Sequence, residues 1–177
     1  MNLTRQRAQV AVRSHIAFLA AAVVTLHVSV VSARPSPQSI RSQIGTAGVN
    51  AAAANAYENR ETWAALLKGI RSGNREWFDV GRLLYPSAGA ALNEDLAEAF
   101  MAMLDTSPAT ILASPPLSVS RLCSGDDIDS APNATTAQQR QKVDRRIRGI
   151  ASVKLASVSS ARDSCVKAPR MFRASLK

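Results

Sequence analysis

YENRETWAALLKGIRSGNREWFDVGRLLY, residues Tyr57 to Tyr85, decides the fold and holds both tryptophans of the chain. Trp63, Leu66, Leu67 and Ile70 fall at i, i+3, i+4 and i+7, one face of a helix. Gly73 stands where a helix ends in a left-handed residue. Asn74 suits an N-cap, because its side-chain oxygen can accept from an unpaired backbone N–H. Trp77, Val80, Gly81 and Leu84 repeat the spacing, and Pro86 stops it. So short a link between two apolar stripes predicts a helical hairpin. Each tryptophan can bury about 150–250 Å², roughly 4–6 kcal/mol before entropy is subtracted. A Trp-lined ligand or sugar site is the functional alternative; the helical spacing favours core packing.

Upstream, residues 1–33 read as a secretory signal. Arg5, Arg7 and Arg13 make a basic start without acids, Ile16 to Val31 is apolar, and Val31-Ser32-Ala33 predicts cleavage between Ala33 and Arg34. A retained anchor is the rival, but the run is sixteen residues long and carries Thr25, His27 and Ser29, short of the roughly 20 apolar residues of a span. Residues 34–49, with Pro35, Pro37, Gly45 and Gly48, read as a flexible linker. Asn50 or Asn55 would cap the first helix.

Cleavage leaves 144 residues, one domain's worth, with 19 basic and 13 acidic side chains, net +6. It also removes both histidines, His15 and His27. A histidine-free protein has no Ser-His-Asp or Cys-His catalysis, histidine–zinc site or histidine pH switch. Cys123 and Cys165 remain, an even pair that an oxidising compartment would join. Closing that loop should stabilise by about 4 kcal/mol.

Downstream, Asn93 reads as an N-cap with Glu94 and Asp95 in the first turn, followed by the stripe Leu96, Ala97, Phe100, Met101 and Leu104. Ser107-Pro108 restarts a helix containing Ile111 and Leu112. This second hairpin echoes the first at an offset of 34, placing Phe100, Met101, Leu104 and Ile111 where Leu66, Leu67, Ile70 and Trp77 stand. That is the tetratricopeptide period, but the glycine and Ala-x₃-Phe of that repeat are absent. Leu117 to Leu122 reads as extended, and Ser124 to Pro132 as a loop. Asp126, Asp127 and Asp129 invite a calcium reading, but the EF-hand's glycine and distal glutamate are missing. Asn133-Ala134-Thr135 matches the glycosylation sequon, a pattern too common to carry weight.

Thr136 opens a basic helix with Val143, Ile147, Ile150 and Ala151 on its apolar face. Arg140, Lys142, Arg145, Arg146 and Arg148 are the candidate contacts for an anionic surface. A last helix carries Leu155, Val158, Arg162, Cys165 and Val166. From Ala134 to Lys177 there are 11 basic and 2 acidic residues, whereas Arg34 to Asn133 has 8 and 11. Nucleic acid fits poorly, because the basic half has one aromatic, Phe172, for bases to stack on.

The signal-like start, Trp63-x-x-Leu66-Leu67-x-x-Ile70, Gly73, Trp77, Leu84-x-Pro86, Ala88-Gly89-Ala90, Pro108, and Cys123 with Arg162-Asp163-x-Cys165 resemble small uncharacterised secreted all-helical proteins of Gram-negative bacteria. The resemblance spans about Trp63 to Cys165 and rests on packing and turn residues. It implies a periplasmic helical domain with one disulfide and supplies no catalytic residue.

The expected architecture is all-α: a compact bundle of about five or six short helices built from hairpins, with one disulfide. Residues 50–166 would form the domain and 167–177 a basic tail. The expected function is a non-enzymatic periplasmic or secreted protein, without cofactor or metal, that binds a partner protein or an anionic envelope surface. One alternative is a small cell-wall hydrolase using carboxylates among Glu94, Glu98, Asp126 and Asp127, which would have to face each other at about 5–9.5 Å. The other is a Trp-lined ligand module.

Overall fold

Ser36 begins the described structure's first helix by accepting from the Ser39 backbone N–H, while the Ser39 hydroxyl completes a capping box. The computed structural model describes residues 34–129 and 134–176, so the signal segment and its Ala33–Arg34 cleavage point lie wholly or partly outside it. Helix α1 spans Pro37–Ala47, which corrects the linker expected over residues 34–49. Pro37 was misleading: at the first helical position its missing N–H costs nothing and its fixed φ suits the helix. Ile40, fully buried, holds α1 to the core, and Gln38 Nε2 donates to Glu76 at 3.0 Å.

Gly48 turns the chain at φ 84° into α2 (Val49–Glu58), whose buried Ala52, Ala53 and Ala56 allow close packing. Asn59 caps α3 (Arg60–Arg71) by accepting from the Thr62 N–H. Gly73 at φ 79° and the Asn74 cap then start α4 (Arg75–Leu84), as the sequence predicts. Trp63, Leu66, Leu67 and Ile70 are buried on α3. On α4 the fully buried aromatic is Phe78, while Trp77 is only partly covered and lies over Gly69.

A short 3₁₀ turn, Tyr85–Ser87, leads to α5 (Ala90–Met103), which begins before Asn93. Asn93 is therefore no cap; it sits inside the helix, and its Nδ2 donates to the Ala88 carbonyl at 2.9 Å. Phe100 is the hub, with Phe78 and Tyr85 each edge-on to it at 5.9 Å. Pro108–Ala113 forms α6, with Ile111 and Leu112 buried. The segment expected to be extended carries one helical turn instead, α7 (Val119–Leu122), because the Ser118 hydroxyl accepts from the Arg121 N–H. A second turn, α8 (Asp126–Asp129), occupies part of the expected loop.

Thr135 and Gln138 form a capping box at the head of α9 (Thr136–Ala151). The last helix, α10 (Ser159–Ser175), runs through most of the expected 167–177 tail. Pro169 lies inside it and is buried. Cys123, at the end of α7, and Cys165, on the inner face of α10, form the disulfide, with Cα atoms 4.7 Å apart. The described protein is thus all-α with a single core, formed by both hairpins and the inner faces of α9 and α10.

Candidate functional site

Each of the five cations proposed from sequence for surface contact has a distinct place on α9, and the apolar stripe explains why. Val143, Arg146 and Ile150 share one side of the helix and are all buried. Arg146 therefore points inward: its side chain is 1% exposed. It meets Asp105 through Nε–Oδ1 at 2.7 Å and Nη2–Oδ2 at 2.8 Å. It meets Asp127 through Nη1–Oδ1 at 2.7 Å and Nη2–Oδ2 at 2.6 Å. Lys142 Nζ, half-buried, reaches the same Asp127 carboxylate at 3.4 Å. Arg146 is thereby removed from the candidate surface set, and Lys142 is committed to an internal pair.

Burial pushes the Asp127 carboxyl up, but the hydrogen bonds and charge of Arg146, helped by Lys142, outweigh it and hold the group below the usual carboxylate range. Burial pushes Arg146 the other way, and its two carboxylates still hold the guanidinium above its ordinary value. This four-residue cluster joins the end of α5, α8 and α9. Both oxygens of Asp127 are taken up by Arg146, so this carboxylate does not stand free to face a second one across a sugar as a glycosidase's acid must. Glu94 is likewise engaged, accepting from Arg121 Nη2 at 2.7 Å. Asp126 is exposed and Glu98 half-buried.

Arg140, Arg145 and Arg148 are exposed, as the sequence reading expects. Arg140 donates to the Leu176 carbonyl. Arg173 Nε meets Asp144 at 2.5 Å and clips the end of α10 to α9. That hydrogen bond, with the charges of Arg173 and Arg148, holds the half-buried Asp144 carboxyl low. Arg145 and Arg148 make no ion pair within 4 Å among the described residues.

A groove of about 660 Å³ runs along α10. Val166, Lys167, Arg170, Met171 and Ala174 recur at helical spacing and line it with Ala151 of α9. Lys167 and Arg170 are exposed and have no ion-pair partner among the described residues. Met171 is 66% exposed, the most open large apolar side chain described. The groove therefore combines apolar side chains with two exposed cations of α10, Lys167 and Arg170. Lys167, Arg170 and Met171 were missed as site residues because the sequence reading assigned 167–177 to a tail. Their signal was the spacing Val166, Arg170, Met171, Ala174, which continues the helix past Pro169.

A second groove, about 610 Å³, adjoins Trp63 and is also lined by Tyr57, Leu67 and Asp95. The Trp63 indole N–H donates to Asp95 Oδ2 at 2.8 Å, and Tyr57 stands edge-on to the indole at 5.4 Å. Trp77 does not line this groove, so the two tryptophans do not share a site. No protein family, curated protein or solved structure matches this chain.

Proposed function

We propose that this chain is a non-enzymatic periplasmic or secreted protein that binds an anionic envelope membrane through the outer face of α9 and α10. The observation that carries the reading is the grouping of Arg145, Arg148, Lys167 and Arg170. None makes an ion pair within 4 Å among the described residues; Lys167 and Arg170 line an open, largely apolar groove, and Arg145 and Arg148 are exposed on the neighbouring α9. Near an anionic leaflet each such cation contributes about 1 kcal/mol and fades within a Debye length. An uneven charge distribution along the chain, net +9 beyond Asn133 and −3 in the preceding hundred residues, orients that face toward the negative surface. The signal-like start and the Cys123–Cys165 disulfide support an oxidising envelope compartment. No helix among the described residues is long and apolar enough to cross a membrane.

Flotation of the exported protein with vesicles tests this. Capture by anionic vesicles at low salt, release at high salt and no capture by neutral vesicles are the expected results. Equal capture by both vesicle types, or by neither, overturns the reading.

The groove beside Trp63 favours a second reading, a small-ligand module. In a Trp77→Phe background the emission of Trp63 alone would shift when such a ligand occupies the groove. A ligand that binds without that shift speaks against this groove.

A further inference from the structure

We propose that Met171, with Ala174, enters the acyl boundary of the leaflet, so that α10 is an interfacial helix that inserts rather than a purely electrostatic contact. The inference rests on the membrane reading above and specifies how that contact is made.

The inner face of α10 is fixed. Cys165 is fully buried and bonded to Cys123, Pro169 of the same helix is buried one turn on, and Arg173 is clipped to Asp144. This fastening leaves a stripe of Lys167, Arg170, Met171 and Ala174 exposed, spanning about 10 Å of helix at 1.5 Å per residue. Apolar and basic residues are interleaved along it. That is the arrangement of helices lying in the headgroup plane, where the apolar side chains sink about 5–10 Å below it. Lys167 and Arg170 have long stems that can follow Met171 down while their charges stay with the phosphates.

An acidic protein would also attract these cations. It gives no reason for Met171, the most exposed large apolar side chain described, to stand beside them. Asp163, at the start of the stripe, has its carboxylate paired with Arg162 at 2.9 Å. This limits the penetrating part to the distal half, Lys167 to Ala174.

The test is a Met171→Trp variant of the exported protein, titrated with anionic vesicles whose acyl chains carry bromine at shallow or deep positions. The parent, whose tryptophans are Trp63 and Trp77, is the reference. The expected result is a blue-shifted emission quenched most strongly by the shallow bromines, with the parent unquenched. Met171→Ser should bind about three- to tenfold more weakly, through lost apolar burial, while keeping its salt dependence. Salt-dependent binding without quenching, or Met171→Ser binding as tightly as the parent, overturns insertion and leaves the electrostatic reading standing. Absence of binding by every variant overturns both.

Discussion

Arg146 holds Asp127 through two parallel hydrogen bonds, Nη1 to Oδ1 at 2.7 Å and Nη2 to Oδ2 at 2.6 Å, with side chains only 1% and 6% exposed. The same guanidinium closes a second pair with Asp105. A charge on the buried face of a basic helix is thus an internal clamp that ties α8 and the end of α5 to α9.

Arg146→Ala leaves two carboxylates facing each other with their shared cation gone, a change that costs about 3–5 kcal/mol when buried pairs are broken. Arg145→Ala, one residue away and exposed, should change stability by less than about 0.5 kcal/mol. Urea unfolding of the oxidised protein compares them, and equal effects would contradict the clamp.

Acid should loosen the same clamp. The folded-state pKa of Asp127 lies below its ordinary 3.8, so its contribution is complete above that value. It disappears as pH falls through the lower, folded-state value. Stability followed by urea unfolding should therefore lose this contribution only below about pH 4. Asp127→Asn should start less stable at neutral pH and lose less on acidification. An unchanged acid limb in that variant would contradict the assignment.

Two glycines should respond with opposite signs. A Cβ on Gly69 would lie 2.2 Å from Trp77 Cδ1 and 2.7 Å from its Cβ. Gly69→Ala should therefore cost about 1–3 kcal/mol as α3 and α4 are pushed apart. Gly45, inside α1, has nothing within 4 Å of its would-be Cβ. There alanine should stabilise by about 0.5–1 kcal/mol by favouring helix. No effect at residue 45 would argue that residues 37–47 are the linker their composition suggests.

Local chemistry made much of the fold legible. Gly73 and Asn74 were readable because a left-handed stop and an oxygen cap are properties of single residues. The α3 stripe was readable because four apolar residues repeat at the helical period. Helix α1 was missed because Pro35, Pro37 and two glycines resemble a linker, although Ser36-Pro37 is also a helix start. Trp77 was overvalued against Phe78 because periodicity alone does not show which large neighbour the core accepts. Arg146 was misplaced for a related reason. Its spacing from Val143 and Ile150 put it on the buried face, but the partners that let it stay there, Asp105 and Asp127, lie 41 and 19 residues away. Long-range pairing of that kind leaves no periodic trace. Of the candidate surface, Arg140, Arg145 and Arg148 were legible, and the α10 half was hidden behind Pro169.

The central claim is that the exposed cations of α9 and α10 hold the protein to an anionic membrane. Its most direct test is the vesicle affinity of Arg145→Glu/Arg148→Glu/Lys167→Glu/Arg170→Glu against the parent at low and high salt, with thermal unfolding confirming that the variant folds. The expected result is capture of the parent at low salt only, and no capture of the folded variant at either. A folded variant that binds anionic vesicles as tightly as the parent would contradict the account.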